Sequence, residues 1–226
     1  MDAPWLEAAL AAIEFLKSPD SAVERFRRLP EGALLGLPDP HAAPFARMLD
    51  HPAITRRLQW MLGPGWVVEG PPALTTASVG GPPLAIHSGG APTTPINLVR
   101  MKDGRSHCEV VKVAWQLRDV NWNGRDDGGY ICIPGSHRAR RQLPFGPGFQ
   151  REDPMADVNL ALREHGHLQL LSMRAGDVCI FMAASQTHGA AGWRDVDGRR
   201  AVIYGIWSRA RARLRHGGYD SALSRL

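Results

Sequence analysis

The stretch VAWQLRDVNWNGRDDGGYICIPGSH, Val113 to His137, decides the fold class. A run rich in valine and tryptophan ends at Leu117, a polar turn follows, and Gly128-Gly129 allows a tight reversal. Tyr130 to Pro134 then returns as a second strand, and Pro134-Gly135-Ser136 reverses the chain again just before His137. Two short strands joined by a turn, with no helix between them, point to an antiparallel arrangement.

The same texture extends in both directions from Pro64 onward. Val67–Gly70, Ala73–Val79, Pro83–His87, Glu109–Leu117, Tyr130–Pro134, Leu168–Met173, Asp177–Ala183 and Ala201–Trp207 are rich in valine, isoleucine and aromatic residues, with glycine, proline and Asn/Asp clusters between them. Such a succession without intervening helices indicates a sandwich or jelly roll whose two sheets enclose a core or a small-ligand cavity. Two longer connections, Thr93–Ser106 and Arg138 to about Asp153, have the length of binding loops or lids, and PMADVNLALREH after the second has a helical pattern. Residues 4–62 read differently. PWLEAALAAIEFLK and HPAITRRLQWML carry apolar residues at helical spacing, and Asp20 or Ser21 can cap SAVERFRRL. The expected organisation is a helical extension over residues 1–64 packed on a β domain over 65–226.

Composition narrows the function. At 226 residues the chain can bury a core and enclose a pocket. Cys108, Cys132 and Cys179 are odd in number and form no CxxC, which predicts reduced thiols in a cytoplasmic protein and argues against a structural zinc site. Asp2 and Glu7 stand where a signal peptide would carry basic residues, and no apolar run approaches a membrane span of about 20 residues. The net charge of +5 comes mostly from arginine; Lys17, Lys102 and Lys112 are the only lysines. Arg209, Arg211, Arg213 and Arg215 alternate on one strand face and read as a solvated surface, with contact to an anionic substrate as the sharper alternative. Nothing combines basic clusters with exposed aromatics as a nucleic-acid binder would. The expected partner is a small molecule, with no nucleic acid or membrane, for a monomer or homodimer.

Two blocks carry a resemblance. Val113 to His137, with a tryptophan in its first strand and PGSH after its second, and Gly176 to Trp207, with a GD turn, an apolar strand, His188-Gly189 and an arginine on the next strand, together resemble the phytanoyl-CoA dioxygenase family. The likeness spans about Arg57 to Ser208. That family consists of non-haem iron, 2-oxoglutarate-dependent oxygenases on a double-stranded β-helix, a form of jelly roll. The resemblance implies Fe(II) and 2-oxoglutarate as cofactors, and hydroxylation of a small-molecule substrate with formation of succinate and CO2. It implies His87 and His188 as metal ligands and Arg199 as the grip on the distal carboxylate of 2-oxoglutarate. It also implies Trp115 as a lining residue of the cosubstrate pocket and Asp119 as an acidic pocket residue.

The chemistry fits those residue types. Non-haem Fe(II) takes imidazole nitrogen and hard oxygen ligands and leaves positions open for a chelating 2-oxoacid and dioxygen. A guanidinium grips a carboxylate through two parallel hydrogen bonds. Strand alternation lets only one of Arg199 and Arg200 face inward, and the family spacing selects Arg199. Two of these residues have plain structural alternatives: Trp115 as core, and Arg199 as partner of Asp195 or Asp197 in its own hairpin. His137 in PGSH reads as a turn residue or a hydrogen-bond donor rather than a ligand. The calcium-loop spacing from Asp119 fails at Tyr130, where a bidentate glutamate is required, and the flanks are strands. His165 and His167 form an HxH with no matching third ligand, and SVGGPP is too short for a phosphate loop.

One position departs from the family. The first histidine normally opens an HxD or HxE whose acid is the third iron ligand, whereas here the second residue after His87 is Gly89. Three explanations stand: a halide binds there, as in halogenating relatives; water or another protein carboxylate completes the shell; or the domain holds no metal and only binds. For the second, Glu109 and His107 share strand parity with Trp115, so all three face the cavity if Trp115 does.

Overall fold

Apolar side chains at helical spacing make Ala3–Lys17 the first helix, α1, which buries Trp5, Ala9, Ala12, Ile13 and Leu16 on one face. Asp2 caps it by accepting a hydrogen bond from the Trp5 amide at 3.0 Å. Helix α2, Ala43–Asp50, buries Phe45 and Met48, and its two turns are too short for a period to stand out in the sequence. Helix α3, Pro52–Leu62, buries Ile54, Leu58 and Leu62. Its end is set by Gly63 at φ 81°, whose amide donates to the Gln59 carbonyl. The computed structural model describes residues 1–17, 34–77, 84–87, 100–102, 105–121, 128–138, 165–183, 185–193 and 200–209. SAVERFRRL and PMADVNLALREH up to Glu164 lie outside them, as do Arg211, Arg213 and Arg215. Among the described residues no helix is long and apolar enough to cross a membrane.

Among the described residues ten strands follow: β1 Trp66–Ala77, β2 Leu84–His87, β3 Arg100–Lys102, β4 Arg105–His107, β5 Val110–Gln116, β6 Tyr130–Cys132, β7 Gln169–Leu170, β8 Val178–Phe181, β9 His188–Ala190 and β10 Arg200–Arg209. One sheet has the order β1-β10-β5-β8, a second has β2-β9-β6-β7, and every pairing is antiparallel. Strand neighbours far apart in sequence, in two four-stranded sheets, make this the jelly-roll winding expected of a double-stranded β-helix. Three details differ from the sequence reading. Val67–Gly70 and Ala73–Ala77 belong to one strand, β1, whose register shifts around Gly70 where Pro71 and Pro72 cannot donate to a ladder; Ser78 and Val79 lie outside the described residues. The segment read as a long loop before Ser106 contains the β3–β4 hairpin. The short HGA strand β9, too poor in β-formers to be recognised, pairs on both its sides.

The first sheet has two unlike faces. Val111, Val113, Trp115 and Leu117 share a core with Trp5, Phe45, Met48 and Leu58, so this face carries the helices. The opposite face presents Ala114, Val202 and Phe181 to Tyr130 of the second sheet, forming the inter-sheet core with Val120, Met173 and Trp193. Ile86, Ile131 and Leu168 cluster separately. Arg209 is half-buried and donates from Nε to the Leu62 carbonyl at 2.6 Å, tying the end of β10 to α3 rather than standing in solvent. At Gly128-Gly129 a side chain is excluded twice. Gly128 has φ 79°, and a Cβ there would lie 2.6 Å from the Trp193 ring, while at Gly129 it would collide with the Asn121 amide.

Gly205 gives the helix-side core its test. It faces Trp207 and Trp115, whose rings tilt against each other with centroids 5.7 Å apart. An added Cβ would lie 2.5 Å from the Trp207 ring and 3.4 Å from that of Trp115. Gly205→Ala is expected to destabilise the protein by about 1–3 kcal/mol, the usual cost of overpacking. A urea titration reads this as a lower midpoint at unchanged slope.

Candidate functional site between the sheets

Strands β2 and β9 pair so that His87 and His188 are direct register partners. Residues opposite one another across an antiparallel pair share a face, with Cβ atoms about 4.5–5.5 Å apart. Cys132 of β6 is the register partner of His188 on its other side. Three adjacent strands thus hold His87, His188 and Cys132 in one row.

His188 is prepared as a ligand. It is 4% exposed, lies edge-on to Phe181 with centroids 4.8 Å apart and stacks on Tyr130 at 5.8 Å. Its Nδ1 lies 2.7 Å from the Gln186 carbonyl oxygen. A carbonyl only accepts, so Nδ1 carries the proton and Nε2 the lone pair, the tautomer and orientation that metal-bound histidines take. The strand's entry is clamped as well. The Thr187 amide donates to Ser136 Oγ at 2.9 Å, and the Ile133 amide donates to the Thr187 carbonyl at 3.0 Å. PGSH therefore sets His188 from a neighbouring turn. Ser136 makes the contact, while His137 occupies the following position of the 3-10 turn Ser136–Arg138.

Among the described residues, the inter-sheet face also holds polar atoms with no partner. Gln116, 1% exposed, leaves both Oε1 and Nε2 without a hydrogen bond, and Tyr130 leaves its hydroxyl so. Gln116 shares strand parity with Ala114 of the inter-sheet core, to which Tyr130 also belongs. Burial first, then the neighbouring Cys179, Cys132 and Tyr204, pushes the Tyr130 phenol far up, so it stays protonated and can donate. Burial raises the Cys179 thiol to about 12 and also raises Cys132, whose thiol is hydrogen-bonded by Gln186. Buried polar atoms without partners are costly and rare in native interiors. An amide and a phenol are groups that a carboxylate-bearing cosubstrate can hydrogen-bond, and His188 offers imidazole nitrogen, so the chemistry of these residues fits Fe(II) with 2-oxoglutarate.

Three of the residues named from the sequence stand elsewhere. Trp115 is fully buried in the helix-side core against Trp207, on the face opposite Gln116, so it lines no inter-sheet pocket. It is core, because strand alternation gives that face to the apolar residues the helices cover. The parity argument for Glu109 loses its premise with Trp115, and Cys108, of the other parity, also packs in the helix-side core, so the alternation of β5 does not extend back to it. Glu109 is half-buried just before β5, its carbonyl accepting from the Arg209 amide. Asp119 is exposed, and its Oδ1 accepts the Ala175 amide at 2.8 Å, pinning the turn before β8 instead of entering a pocket. Arg199 and Gly89 lie outside the described residues, as do the side chains of His87 and His107. Among the described side chains no three His, Cys, Asp or Glu gather as a metal group. His165 and His167 are exposed before β7.

Gln116, Tyr130 and Ser136 were not singled out in the sequence. A signal for the first was present: in EVVKVAWQL one parity is wholly apolar from Val111 to Leu117, and the other carries Lys112 and Gln116. The polar parity belongs to the face turned toward the second sheet.

The sheet order defines a double-stranded β-helix. No family model and no curated relative matches the chain. Among solved structures it is similar to HygX from Streptomyces hygroscopicus with nickel, 2-oxoglutarate and hygromycin B bound, at TM-score 0.67 and 18% identity over 93% of this chain and 80% of that one. It is similar to EctD from S. alaskensis with 2-oxoglutarate and 5-hydroxyectoine, at TM-score 0.62 and 17% identity over 94% and 70%. The epimerase SnoN in complex with Fe3+, alpha ketoglutarate and nogalamycin RO gives 0.59 and 20% over 93% and 76%. At these identities the likeness establishes the fold.

Gln116→Leu should stabilise the ligand-free protein by about 1–2 kcal/mol, because it removes a buried amide that has no partner. Thermal unfolding without metal or cosubstrate checks this, with a higher midpoint as the expected result.

Proposed function

We propose that this chain is an Fe(II)/2-oxoglutarate-dependent oxygenase that hydroxylates a small-molecule substrate, forming succinate and CO2, as phytanoyl-CoA dioxygenase-like enzymes do. The observation that carries the reading is His188, buried, held by the Gln186 carbonyl in the ligand tautomer, and in register with His87. His87 and His188 would hold the metal, which when bound supplies activation of dioxygen coupled to decarboxylation of the 2-oxoacid.

The protein's own part is placement. Gln186 fixes the His188 ring, and Ser136 fixes the backbone before it. The Tyr130 phenol, kept protonated by burial, donates a hydrogen bond to a cosubstrate oxygen, and the Gln116 amide can both donate and accept. Arg199 would close the far end with a bidentate grip on the distal carboxylate. Its place in the chain supports this: it precedes β10, whose second residue, Ala201, accepts from the Leu117 amide next to Gln116. Phe181, Ala114 and Val202 keep the space apolar, which strengthens each of these contacts.

The third ligand position is assigned to water or halide, since Gly89 has no side chain and the argument that brought in Glu109 rested on Trp115 facing the cavity. The non-catalytic binding domain is the competing reading.

Anaerobic addition of Fe(II) and 2-oxoglutarate should give the parent protein a weak visible charge-transfer band, absent in His188→Ala. Arg199→Lys should weaken 2-oxoglutarate binding about tenfold or more, since an ammonium cannot reproduce the fork. Gly89→Asp should keep or raise Fe(II) affinity by adding an anionic oxygen ligand. Chloride-dependent tightening of 2-oxoglutarate in the parent, abolished by Gly89→Asp, would select the halide. A parent protein that binds neither metal nor 2-oxoglutarate would overturn the oxygenase reading and leave the binding domain.

A further inference from the structure

Lys112 stands on the inter-sheet face of β5. Its neighbours Val111 and Val113 point into the helix-side core, whereas Ala114, of its own parity, belongs to the inter-sheet core. Across the sheet it is in register with Phe181 on one side and Ile206 on the other. Phe181 in turn lies edge-on to His188 with centroids 4.8 Å apart. Lys112 is thus linked to His188 through the Phe181 ring, while Gln116, four residues on, marks the opposite end of the same face, where β10 begins.

No acidic side chain answers this lysine among the described residues. Glu69 of β1, an acid on the same sheet, accepts the Ser208 hydroxyl instead. Burial alone lowers the Lys112 pKa, with no carboxylate acting on it. A half-buried ammonium without a counter-charge is destabilising, and in such a low-dielectric setting its attraction for an anion is far stronger than in water.

We propose that Lys112 marks the substrate subsite and that the substrate carries an anionic group, a carboxylate or a phosphate, which docks on this ammonium beside His188. The term substrate rests on the oxygenase reading; the anion site does not. The cosubstrate is the other possible source of a carboxylate, but its distal group is assigned to the Gln116 end, so the two sites are separable by experiment.

With only Lys17, Lys102 and Lys112 in the chain, protein labelled with carbon-13 at lysine Cε gives three side-chain signals, and Lys112→Met assigns the third. Zn(II), a diamagnetic stand-in for iron, and 2-oxoglutarate are bound first, and sodium acetate, potassium phosphate and neutral acetamide are then titrated separately. The expected result is a saturable shift of the Lys112 signal at millimolar acetate or phosphate, none with acetamide, and none at Lys17 or Lys102. By calorimetry the same anion should bind Lys112→Arg nearly as well as the parent and Lys112→Met at least tenfold more weakly. A Lys112 signal indifferent to both anions overturns the proposal. So does a response present only without 2-oxoglutarate, because Lys112 then serves the cosubstrate. Failure of 2-oxoglutarate to bind at all sinks the oxygenase reading alone; the anion titration on the metal-loaded protein still decides the Lys112 site.

Discussion

Successive side chains of a strand point to opposite faces, and on β5 that alternation divides the molecule. Val111, Val113, Trp115 and Leu117 face the helices; Lys112, Ala114 and Gln116 face the second sheet. A shift of one residue would bury a lysine and a glutamine under the helices and turn a tryptophan into the inter-sheet space. Everything else is arranged around this choice. Trp115 and Trp207 fill the helix-side core because Gly205 leaves room for both rings, and helices α1 to α3 find a continuous apolar surface. The polar parity is left for the interior, where polar atoms are useful only if something binds them.

The second sheet is organised by hydrogen bonds to His188 and its neighbours. β9 is only three residues long, yet it lies in the middle of its sheet, between β2 and β6. Its entry is held through Thr187 by Ser136 on one side and the Ile133 amide on the other, while the Gln186 carbonyl turns the imidazole. Each such bond contributes about 0.5–1.5 kcal/mol net, but their value to the site is directional. They leave His188 with one tautomer and one orientation, which a metal site needs before the metal arrives.

The inter-sheet core departs from one built for stability alone, which would have an apolar residue at 116 and no lysine at 112. Among the described residues the two sheets bury an amide and a phenol without partners and half-bury an unpaired ammonium. Sites are where natural proteins tolerate such local conflicts, because a ligand resolves them. The sequence of groups along β5, cation near His188 and amide at the far end, gives the space two chemically different ends.

Much of this was legible in the residues. Strand-forming runs punctuated by glycine and proline fixed an antiparallel β architecture, and helical spacing located α1 and α3, since both signals are local periodicities. The GD and PGSH turns and His188-Gly189 pointed to the region of the site. What the residues left open was which parity of β5 faces inward, because an amphipathic strand between two cores has an apolar face either way, and a tryptophan suits a core as well as a pocket. Glu109 was drawn to the site on that parity, and Asp119 on family position; one lies just before β5, where the alternation no longer holds, and the other in an exposed turn. The β9 strand, the pairing of His87 with His188 and the orphaned Gln116 amide arise from contacts between segments far apart in the chain. No local pattern encodes such contacts, so only the tertiary structure decided them.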